Sequence, residues 1–167
     1  GELGGRVART LSGLGYAVSG WSTRPAQQDG VHCLHGDAAL AEALAAADTV
    51  INLLPLTEAT RGFFNTARFA QMKRGASLVN LARGAHVIEA DLLAALEARQ
   101  LSHAVLDVFS VEPLPAEHAF WPHAQITVLP HTAAQTDPRS AAAVVAANLQ
   151  ALRSGQPRGH RVERQRG

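Results

Sequence analysis

The chain begins Gly1-Glu2-Leu3-Gly4-Gly5-Arg6-Val7-Ala8, a glycine-rich segment at the start of a predicted helix. When this segment is aligned with the pattern G-x-G-x-x-G, Gly1 is the second glycine and Gly4 is the third, and the first glycine would precede the chain. In that pattern the second glycine lets the backbone approach a pyrophosphate, the third lets the helix pack closely against a sheet, and the helix N-terminus favours the phosphate charge. We therefore predict a nucleotide-binding segment that includes Gly1, Leu3 and Gly4, although two glycines three residues apart also fit an ordinary turn before a helix.

Helical patterns alternate with short apolar runs along the rest of the chain, which predicts an α/β fold in which helices cover a parallel sheet. The first helix covers residues 4–11 and ends at the stop signals Gly13 and Gly15. The predicted strands cover residues 16–21, 49–54, 77–82, 103–109 and 126–129, and the later helices cover 37–47, 66–72, 89–99 and 138–153, with Thr66 and Asp137 as caps. Residues 49–54 are a nearly continuous apolar run, as expected of a strand that is buried on both faces. Because no strand precedes the first helix, the prediction is a Rossmann-type, doubly wound parallel sheet that lacks its first strand.

The end of the first predicted strand reads Gly20-Trp21-Ser22-Thr23-Arg24-Pro25 and lies about 20 residues after the glycines, where the ribose of a dinucleotide is recognised. A site that prefers NAD would place an acidic residue here, and this stretch has none. Ser22, Thr23 and Arg24 instead offer two hydroxyl groups and a guanidinium, which suit the 2′-phosphate of NADP. We predict a site that includes Trp21 with these three residues and prefers NADP, with NAD as the second cofactor. The alternative is a polar turn with a solvated arginine.

Composition excludes several classes of function. The chain has 167 residues, is 47% hydrophobic and 17% charged, and carries a net charge of +1, so we expect one globular core and no nucleic-acid partner. The basic tail from Arg158 to Arg166 is interrupted by Glu163 and is interpreted as a solvated or docked tail. No apolar run reaches the ~18 residues of a membrane span, and no secretory signal pattern is present, which predicts a cytoplasmic protein without a membrane partner.

The single cysteine is Cys33, so no disulfide framework can form and a reducing compartment is expected. His32, Cys33 and His35 lie close together in sequence. No further set of cysteines or carboxylates has ligand spacing, so we predict no metal site.

Three stretches that each follow a predicted strand carry the chemistry. They are Asn80-Leu81-Ala82-Arg83-Gly84, Leu106-Asp107-Val108-Phe109-Ser110-Val111-Glu112-Pro113-Leu114 and Pro130-His131-Thr132-Ala133-Ala134. Together they resemble the Arg, Glu and His signatures of the D-isomer-specific 2-hydroxyacid dehydrogenases, and the resemblance covers essentially the whole chain. Within that family, Ala82-Arg83-Gly84-Ala85-His86-Val87, the Leu53-Leu54-Pro55 turn and the ending 162–167 look most like the reductases of glyoxylate and hydroxypyruvate.

The resemblance implies an oxidoreductase that transfers a hydride from NADPH to a small 2-ketoacid, glyoxylate or hydroxypyruvate, to give the 2-hydroxyacid. His131 is then the proton donor, since an imidazole titrates near neutral pH. Glu112 holds the imidazole and favours its charged form. Arg83 binds the substrate carboxylate through its fork of donors. Taken singly, His131 also fits a loop histidine and Arg83 a surface arginine in a turn.

The resemblance also implies further nucleotide contacts. Leu54, Pro55 and Thr57 match the family segment near the adenosine and pyrophosphate, although Pro55 also fits a simple strand end. Asp107 is expected to bind the nicotinamide carboxamide, or otherwise to cap the loop that follows it. The predicted nucleotide site also includes Leu81, Ala82, Arg83 and His131. Trp121 either borders the substrate pocket, takes part in a dimer contact or packs in its loop.

The predicted domain division follows from the same resemblance. Residues 1–136 form the NAD(P)-binding domain, truncated at its N-terminus, and residues 137–167 form a C-terminal helix and tail that return to a substrate domain that is largely absent. We expect the isolated chain to have little or no activity and the parent enzyme to be a homodimer. The alternative function is that of a nucleotide-sensing, corepressor-like binding protein of the same fold.

Overall fold

The computed structural model describes residues 1–133 and 137–159. Ala134 of the third motif, Thr136 and the ending 162–167 lie outside the described residues. The helices are α1 (Glu2–Gly13), α2 (Asp37–Ala46), α3 (Thr66–Gln71), α4 (Glu89–Glu97) and α5 (Pro138–Arg153), and the strands are β1 (Ser19–Ser22), β2 (His32–His35), β3 (Thr49–Asn52), β4 (Ala76–Asn80), β5 (Leu101–Leu106) and β6 (Ile126–Val128). Short 3₁₀ helices cover Glu58–Thr60 and Gly84–His86.

The strands form two parallel sheets, which confirms the predicted α/β class. One sheet pairs β1 with β2, and the other has the order β3-β4-β5-β6. Within the described residues no backbone ladder joins β1 to β3. The indole of Trp21, near the end of β1, contacts the start of α2 and the segment before α3. Its Nε1 donates to the carbonyl of Gly36 at 2.9 Å, and its ring lies 6.0 Å from the ring of Phe63.

The core lies around the middle strands β4 and β5. Leu78 of β4 and Leu101 and Ala104 of β5 are completely buried, as are Leu92 and Leu96 of α4. Their apolar side chains fix α4 against the sheet, because removing such surface from water is the main driving force of folding. The core therefore holds rigidly the two strands whose carboxyl ends lead to Arg83 and Glu112.

The C-terminus of α1 explains where the first strand begins. The N–H of Gly15 donates to the carbonyl of Ser12 at 2.9 Å, and the N–H of Tyr16 donates to that of Leu11 at 3.1 Å. This is a Schellman motif, and Gly15 supplies the positive φ of 90° that it requires. Gly15 is thus confirmed as a stop signal, whereas Gly13 is the last helical residue. Tyr16 belongs to this motif, so β1 starts at Ser19 and the predicted start at residue 16 is wrong.

One strand was not predicted, and two other predictions about elements are wrong. The strand β2 was not predicted, because His32-Cys33-Leu34-His35 has histidines at both ends and no apolar run. Thr66 does not cap α3; the side chain of Asn65 does, accepting from the N–H of Arg68 at 3.1 Å. The strand β3 is only half-buried over Val50 and Ile51, because it is an edge strand with β4 as its one neighbour among the described strands.

The cap of α5 is confirmed, since the carboxyl group of Asp137 accepts from the N–H groups of Arg139 and Ser140. No residue of α5 is buried against the rest of the described chain, and Val145, Leu149 and Leu152 are more than half exposed. Within the described residues, none of the helices combines the length and the apolar character needed to cross a membrane.

Candidate active site

The parallel register brings the predicted catalytic segments to one edge of the four-stranded sheet. Asn80 ends β4, Leu106 ends β5 and Val128 ends β6, and Asn80 pairs with Leu106, which pairs with Val128. The segments that carry Arg83, Glu112 and His131 therefore leave neighbouring strands at the carboxyl edge, which is where open parallel sheets bind their ligands.

Glu112 and His131 form the predicted carboxylate–imidazole pair. The Nδ1 of His131 lies 2.8 Å from Oε2 of Glu112, and the N–H of Phe109 donates to Oε1 of Glu112 at 2.9 Å. The Phe109 hydrogen bond, followed by the contact with His131 and the positive charge of Arg83, holds the pKa of Glu112 below its usual range. Glu112 is therefore ionised at neutral pH and accepts from Nδ1–H, which leaves Nε2 of His131 for the reacting partner. Half of the His131 side chain is exposed.

Asp107 holds the loop that carries His131. It is almost completely buried, and its Oδ1 and Oδ2 accept from the N–H groups of Thr132 and Ala133 at 2.8 and 3.0 Å. The backbone of His131 has a φ of 54°, in the left-handed region that costs a non-glycine residue energy. The two hydrogen bonds to Asp107 stabilise the loop in this conformation. Asp107 thus caps the loop after β6, not the loop that directly follows it.

Arg83 is exposed on a turn whose other residues, Ala82 and Gly84, are buried, and this turn rests directly on the backbone after β5. A methyl group built on Gly84 would lie 1.9 Å from the carbonyl carbon of Phe109 and 2.3 Å from the nitrogen of Ser110. Only glycine fits here, so the turn of Arg83 and the segment leading to Glu112 are in backbone contact. The Nη1 of Arg83 donates to the carbonyl of Ala82 at 2.6 Å, and Arg83 as a residue is exposed.

A group of buried polar side chains lies beneath this turn and was not predicted from the sequence. Asn52 and Asn80 are register partners at the ends of β3 and β4, and Nδ2 of Asn52 donates to Oδ1 of Asn80 at 2.9 Å. His86 is completely buried, with Nε2 lying 3.3 Å from the carbonyl oxygen of Pro55. Burial lowers the pKa of His86, so its imidazole is neutral at pH 7. The signal that could have indicated Asn52 and Asn80 is the polar residue that ends each apolar run.

The glycine segment leads into α1, with Gly1 as its N-cap. A Cβ atom built on Gly1 or Gly4 would meet no other element of the described chain within 4 Å, so neither glycine is in close contact with another element. The predicted packing role of Gly4 is therefore not found among the described residues. The close contact is made by Gly5, where an added Cβ would lie 2.8 Å from Oε1 of Gln28. Leu3 is 44% exposed.

The segment after β1 is a tight turn. The hydroxyl of Ser22 donates to the carbonyl of Arg24 at 2.6 Å, which turns the chain and leaves Thr23 and Arg24 exposed. Arg24 takes part in none of the ion pairs found within residues 1–133 and 137–159. Trp21, in contrast, is half-buried against Phe63.

The turn after β3 carries Leu54, Pro55 and Thr57. The N–H of Leu54 donates to Oδ1 of Asn52 at 3.2 Å, and Thr57 and Thr60 form a capping box for the 3₁₀ helix. Leu81 is half-buried and Ala82 buried beneath the Arg83 turn. The turn after β3 and the Arg83 turn lie side by side, since Nε2 of His86 lies 3.3 Å from the carbonyl oxygen of Pro55.

Trp121 lies in the loop between β5 and β6. Its Nε1 donates to the carbonyl of Pro115 at 2.8 Å, while half of its side chain stays exposed. The same loop is joined to α4 by His118, whose Nε2 lies 3.3 Å from Oε2 of Glu89. Trp121 therefore packs within its own loop, and its exposed half leaves a substrate or dimer contact as a prediction.

Comparison with known proteins agrees with this geometry. The family model of D-isomer specific 2-hydroxyacid dehydrogenase, NAD binding domain, matches residues 1–133. A glyoxylate/hydroxypyruvate reductase A from Serratia proteamaculans is 49% identical over 156 residues, which cover 93% of this chain and 50% of that relative. The chain spans about half the length of the curated relatives it matches.

Solved structures give the same result. A D-isomer specific 2-hydroxyacid dehydrogenase from Xanthobacter autotrophicus in complex with NADPH and MES is 42% identical, with a TM-score of 0.94 over 99% of this chain and 69% of that one. An NADPH-dependent glyoxylate/hydroxypyruvate reductase from Sinorhizobium meliloti in complex with NADP and sulfate is 37% identical, with a TM-score of 0.93 over 99% of this chain and 54% of that one. The resemblance inferred from the three motifs is confirmed, and the chain belongs to the D-isomer-specific 2-hydroxyacid dehydrogenase family, whose NAD-binding domain it contains.

Proposed function

We propose that the protein reduces a small 2-ketoacid, glyoxylate or hydroxypyruvate, to the corresponding 2-hydroxyacid with NADPH. The main support for this proposal is the 2.8 Å contact between Nδ1 of His131 and the ionised carboxylate of Glu112, which lies beside the Arg83 turn. This set combines a proton donor, a carboxylate that stabilises its charged form and a cation for the substrate carboxylate. Relatives named as glyoxylate/hydroxypyruvate reductases support the choice of substrate.

The roles of the three side chains follow from their chemistry. The planar guanidinium of Arg83 binds the substrate carboxylate and directs the keto oxygen toward His131. His131 gives the proton on Nε2 to that oxygen as negative charge develops there. Glu112 stabilises the imidazolium before the proton is given and holds the ring in one orientation. When bound, the nicotinamide supplies the hydride that the keto carbon accepts.

The chain's own residues fit a dinucleotide phosphate. Gly1 and Gly4 lie at the N-terminus of the 12-residue helix α1, whose first N–H groups favour a pyrophosphate, and no other element of the described chain covers these two glycines closely. The exposed Thr23 and Arg24, with Ser22, suit a 2′-phosphate. NADPH in the Xanthobacter structure and NADP in the Sinorhizobium structure support this cofactor, with NAD as the second choice.

Further contacts with the nucleotide are proposed for the neighbouring turns. Leu54, Pro55 and Thr57 would border the adenosine and pyrophosphate, with Leu3 and Trp21 at the edges of the same region. Leu81, Ala82, Arg83 and His131 would lie along the nicotinamide half. The contact of Asp107 with the nicotinamide carboxamide stays a prediction, because its side chain is buried and both of its oxygens accept from the loop after β6.

For the domain division we propose that residues 1–136 bind the nucleotide and that residues 137–167 return to a substrate domain. Within the described residues α5 has no buried residue, and its apolar side chains Val145, Leu149 and Leu152 are exposed. These exposed side chains support the proposal that a substrate domain covers α5.

The direct test is to follow oxidation of NADPH by the whole protein in the presence of glyoxylate or hydroxypyruvate. We expect saturable turnover with at least one of the two acids. Tight NADPH binding with no turnover of either acid would contradict the proposal and favour the nucleotide-sensing alternative.

Arg24→Ala tests the cofactor. Removing the guanidinium should raise KM for NADPH by about tenfold or more and leave KM for NADH nearly unchanged, because only NADPH has the 2′-phosphate. Arg74→Ala is the control, since Arg74 bonds the carbonyl of Ala98 instead of facing the ribose region. Equal losses for both cofactors would contradict the role of Arg24.

A further inference from the structure

We propose that His86 is a positioning residue that forms a buried bridge with Asn52 and Asn80. Through this bridge, nucleotide binding at the Leu54–Thr57 turn strengthens substrate binding at Arg83. The inference rests on the proposed function, because it takes the first turn to contact the nucleotide and the second to bind a carboxylate. The buried bridge here means the side chains of Asn52, Asn80 and His86.

The two asparagines make the first half of the bridge. On the nucleotide side, Oδ1 of Asn52 accepts from the N–H of Leu54 at 3.2 Å. On the substrate side, Oδ1 of Asn80 accepts from the N–H of Ala82 at 3.2 Å, and Nδ2 of Asn80 donates to the carbonyl of Arg83 at 3.1 Å. The 2.9 Å hydrogen bond between the two amides joins these sets into one chain from Leu54 to Arg83.

His86 makes the second half. It lies three residues after Arg83, and the carbonyl of Pro55 to which its Nε2 is bonded can only accept, so Nε2 carries the hydrogen. The backbone of His86 is fixed on its other side, where its carbonyl accepts from the N–H of Phe64 at 2.8 Å. The hydroxyl of Thr60 donates to the same Pro55 carbonyl at 2.7 Å and fixes the acceptor.

The buried bridge makes the two turns move together. Asn52 and Asn80 are 2% and 1% exposed and His86 is 0% exposed, so separating the turns would leave polar groups buried without partners. The Nδ1 of His86 has no hydrogen-bond partner among the described residues, so the Nε2 contact with Pro55 is the one hydrogen bond of this imidazole there. A ligand that orders one turn therefore orders the other, which is the physical basis of positive coupling between two sites.

The test measures that coupling in the whole protein. Oxalate serves as an unreactive carboxylate probe, and its Kd is measured by calorimetry with and without saturating NADP. In the wild type we expect NADP to tighten oxalate binding. In His86→Leu, which removes the donor, the ratio of the two Kd values should fall by about fivefold or more. KM for the ketoacid should rise by about tenfold, with a smaller change in kcat.

Two matched variants separate positioning from general stability. His86→Gln retains a donor of similar reach and should recover most of the coupling. Gln100→Leu removes a side chain that donates to the carbonyls of Phe69 and Met72 and is not part of the buried bridge, and it should leave the coupling at the wild-type value. If His86→Leu does not fold, His86→Phe replaces it, since it keeps a planar ring without the donor.

The results that would contradict the buried bridge differ from those that would contradict the proposed function. An active wild type with no coupling, unchanged coupling in His86→Leu, or equal losses in His86→Leu and His86→Gln would overturn the role of the buried bridge. Absence of ketoacid turnover in the wild type would instead overturn the proposed function.

Discussion

The backbone of the His131 loop is held by contacts that do not involve the imidazole ring. The Asp107 carboxyl group holds the N–H groups of Thr132 and Ala133, so the loop keeps its course when the imidazole is removed. His131→Ala should therefore lower kcat by about 10²- to 10⁴-fold, the usual contribution of a positioned proton donor, with little change in NADPH binding. Steady-state kinetics and nucleotide titration measure both quantities.

A control for this prediction is His103→Ala. His103 lies on β5 and bonds the hydroxyl of Thr127 at 2.9 Å, away from the carboxyl edge. Its removal should leave kcat close to that of the wild type. An unchanged kcat in His131→Ala would remove His131 as the proton donor.

The lowered pKa of Glu112 leads to a prediction of how the free energy of unfolding depends on pH. Its pKa is lowered from the ordinary value of 4.5, first by the N–H of Phe109 and then by His131 and Arg83. A lowered pKa means that the stabilisation is fully present above about pH 4.5 and is lost as the pH falls below it. Glu112→Gln does not titrate, so its free energy of unfolding should fall less steeply with acid. Urea unfolding at a series of pH values measures this, and equal slopes in the two proteins would contradict it.

At the level of single residues, the sequence identified those whose chemistry is specific and missed those whose role depends on a neighbour. The Glu112–His131 contact was predicted through the family resemblance, and the structure confirms it. Asn52 and Asn80 were missed because their function is set by strand register, and the sequence does not state which residues of two strands lie opposite. His86 was missed because its acceptor, Pro55, is 31 residues away.

At the level of elements, the contact between the Arg83 turn and the segment after β5 leads to a prediction for Gly84→Ala. The added methyl group would overlap the Phe109 backbone, so the two segments must separate. We expect a loss of about 1–3 kcal/mol in the free energy of unfolding, as for overpacked cores, together with a large loss of ketoacid turnover. Chemical denaturation and kinetics measure the two effects.

Gly13→Ala is the matched control, because Gly13 lies in α1 and an added Cβ would meet no atom within 4 Å. Its stability should stay the same or rise, since alanine is the better helix former. Equal stability of Gly84→Ala and the wild type would show that the backbone contact is not tight.

The elements themselves were predicted where a pattern was long or chemically marked. The cap at Asp137 and the stop at Gly15 are local interactions, and both were found from sequence. The strand β2 was not found, because four residues with histidines at both ends carry too little hydrophobic signal; pairing with β1 stabilises this strand. The cap of α3 is Asn65 and not Thr66. The prediction chose the wrong residue because both are good capping residues and the sequence alone does not separate them.

At the level of the whole molecule, the chain matches the NAD-binding domain of its family and spans about half the length of its curated relatives. This leads to a prediction about the activity of the 167-residue chain by itself. Arg83, Glu112 and His131 all lie on exposed or half-exposed positions, and a closed site requires a covering surface. We expect the 167-residue chain alone to reduce ketoacid on the order of a hundredfold more slowly than the whole protein, while it retains measurable NADPH binding. Equal rates would contradict the proposed domain division. A homodimer and a cytoplasmic location stay predictions.

The missing side chain of Gly84 has a consequence for attempts to change the substrate. Because the Arg83 turn and the Phe109–Ser110 backbone touch without any intervening atoms, neither can be moved independently by substitutions within this pair of segments. The carboxylate anchor and the acid–base pair thus form a constant frame. Redesign for longer or bulkier ketoacids should leave this frame intact and enlarge the space opposite it.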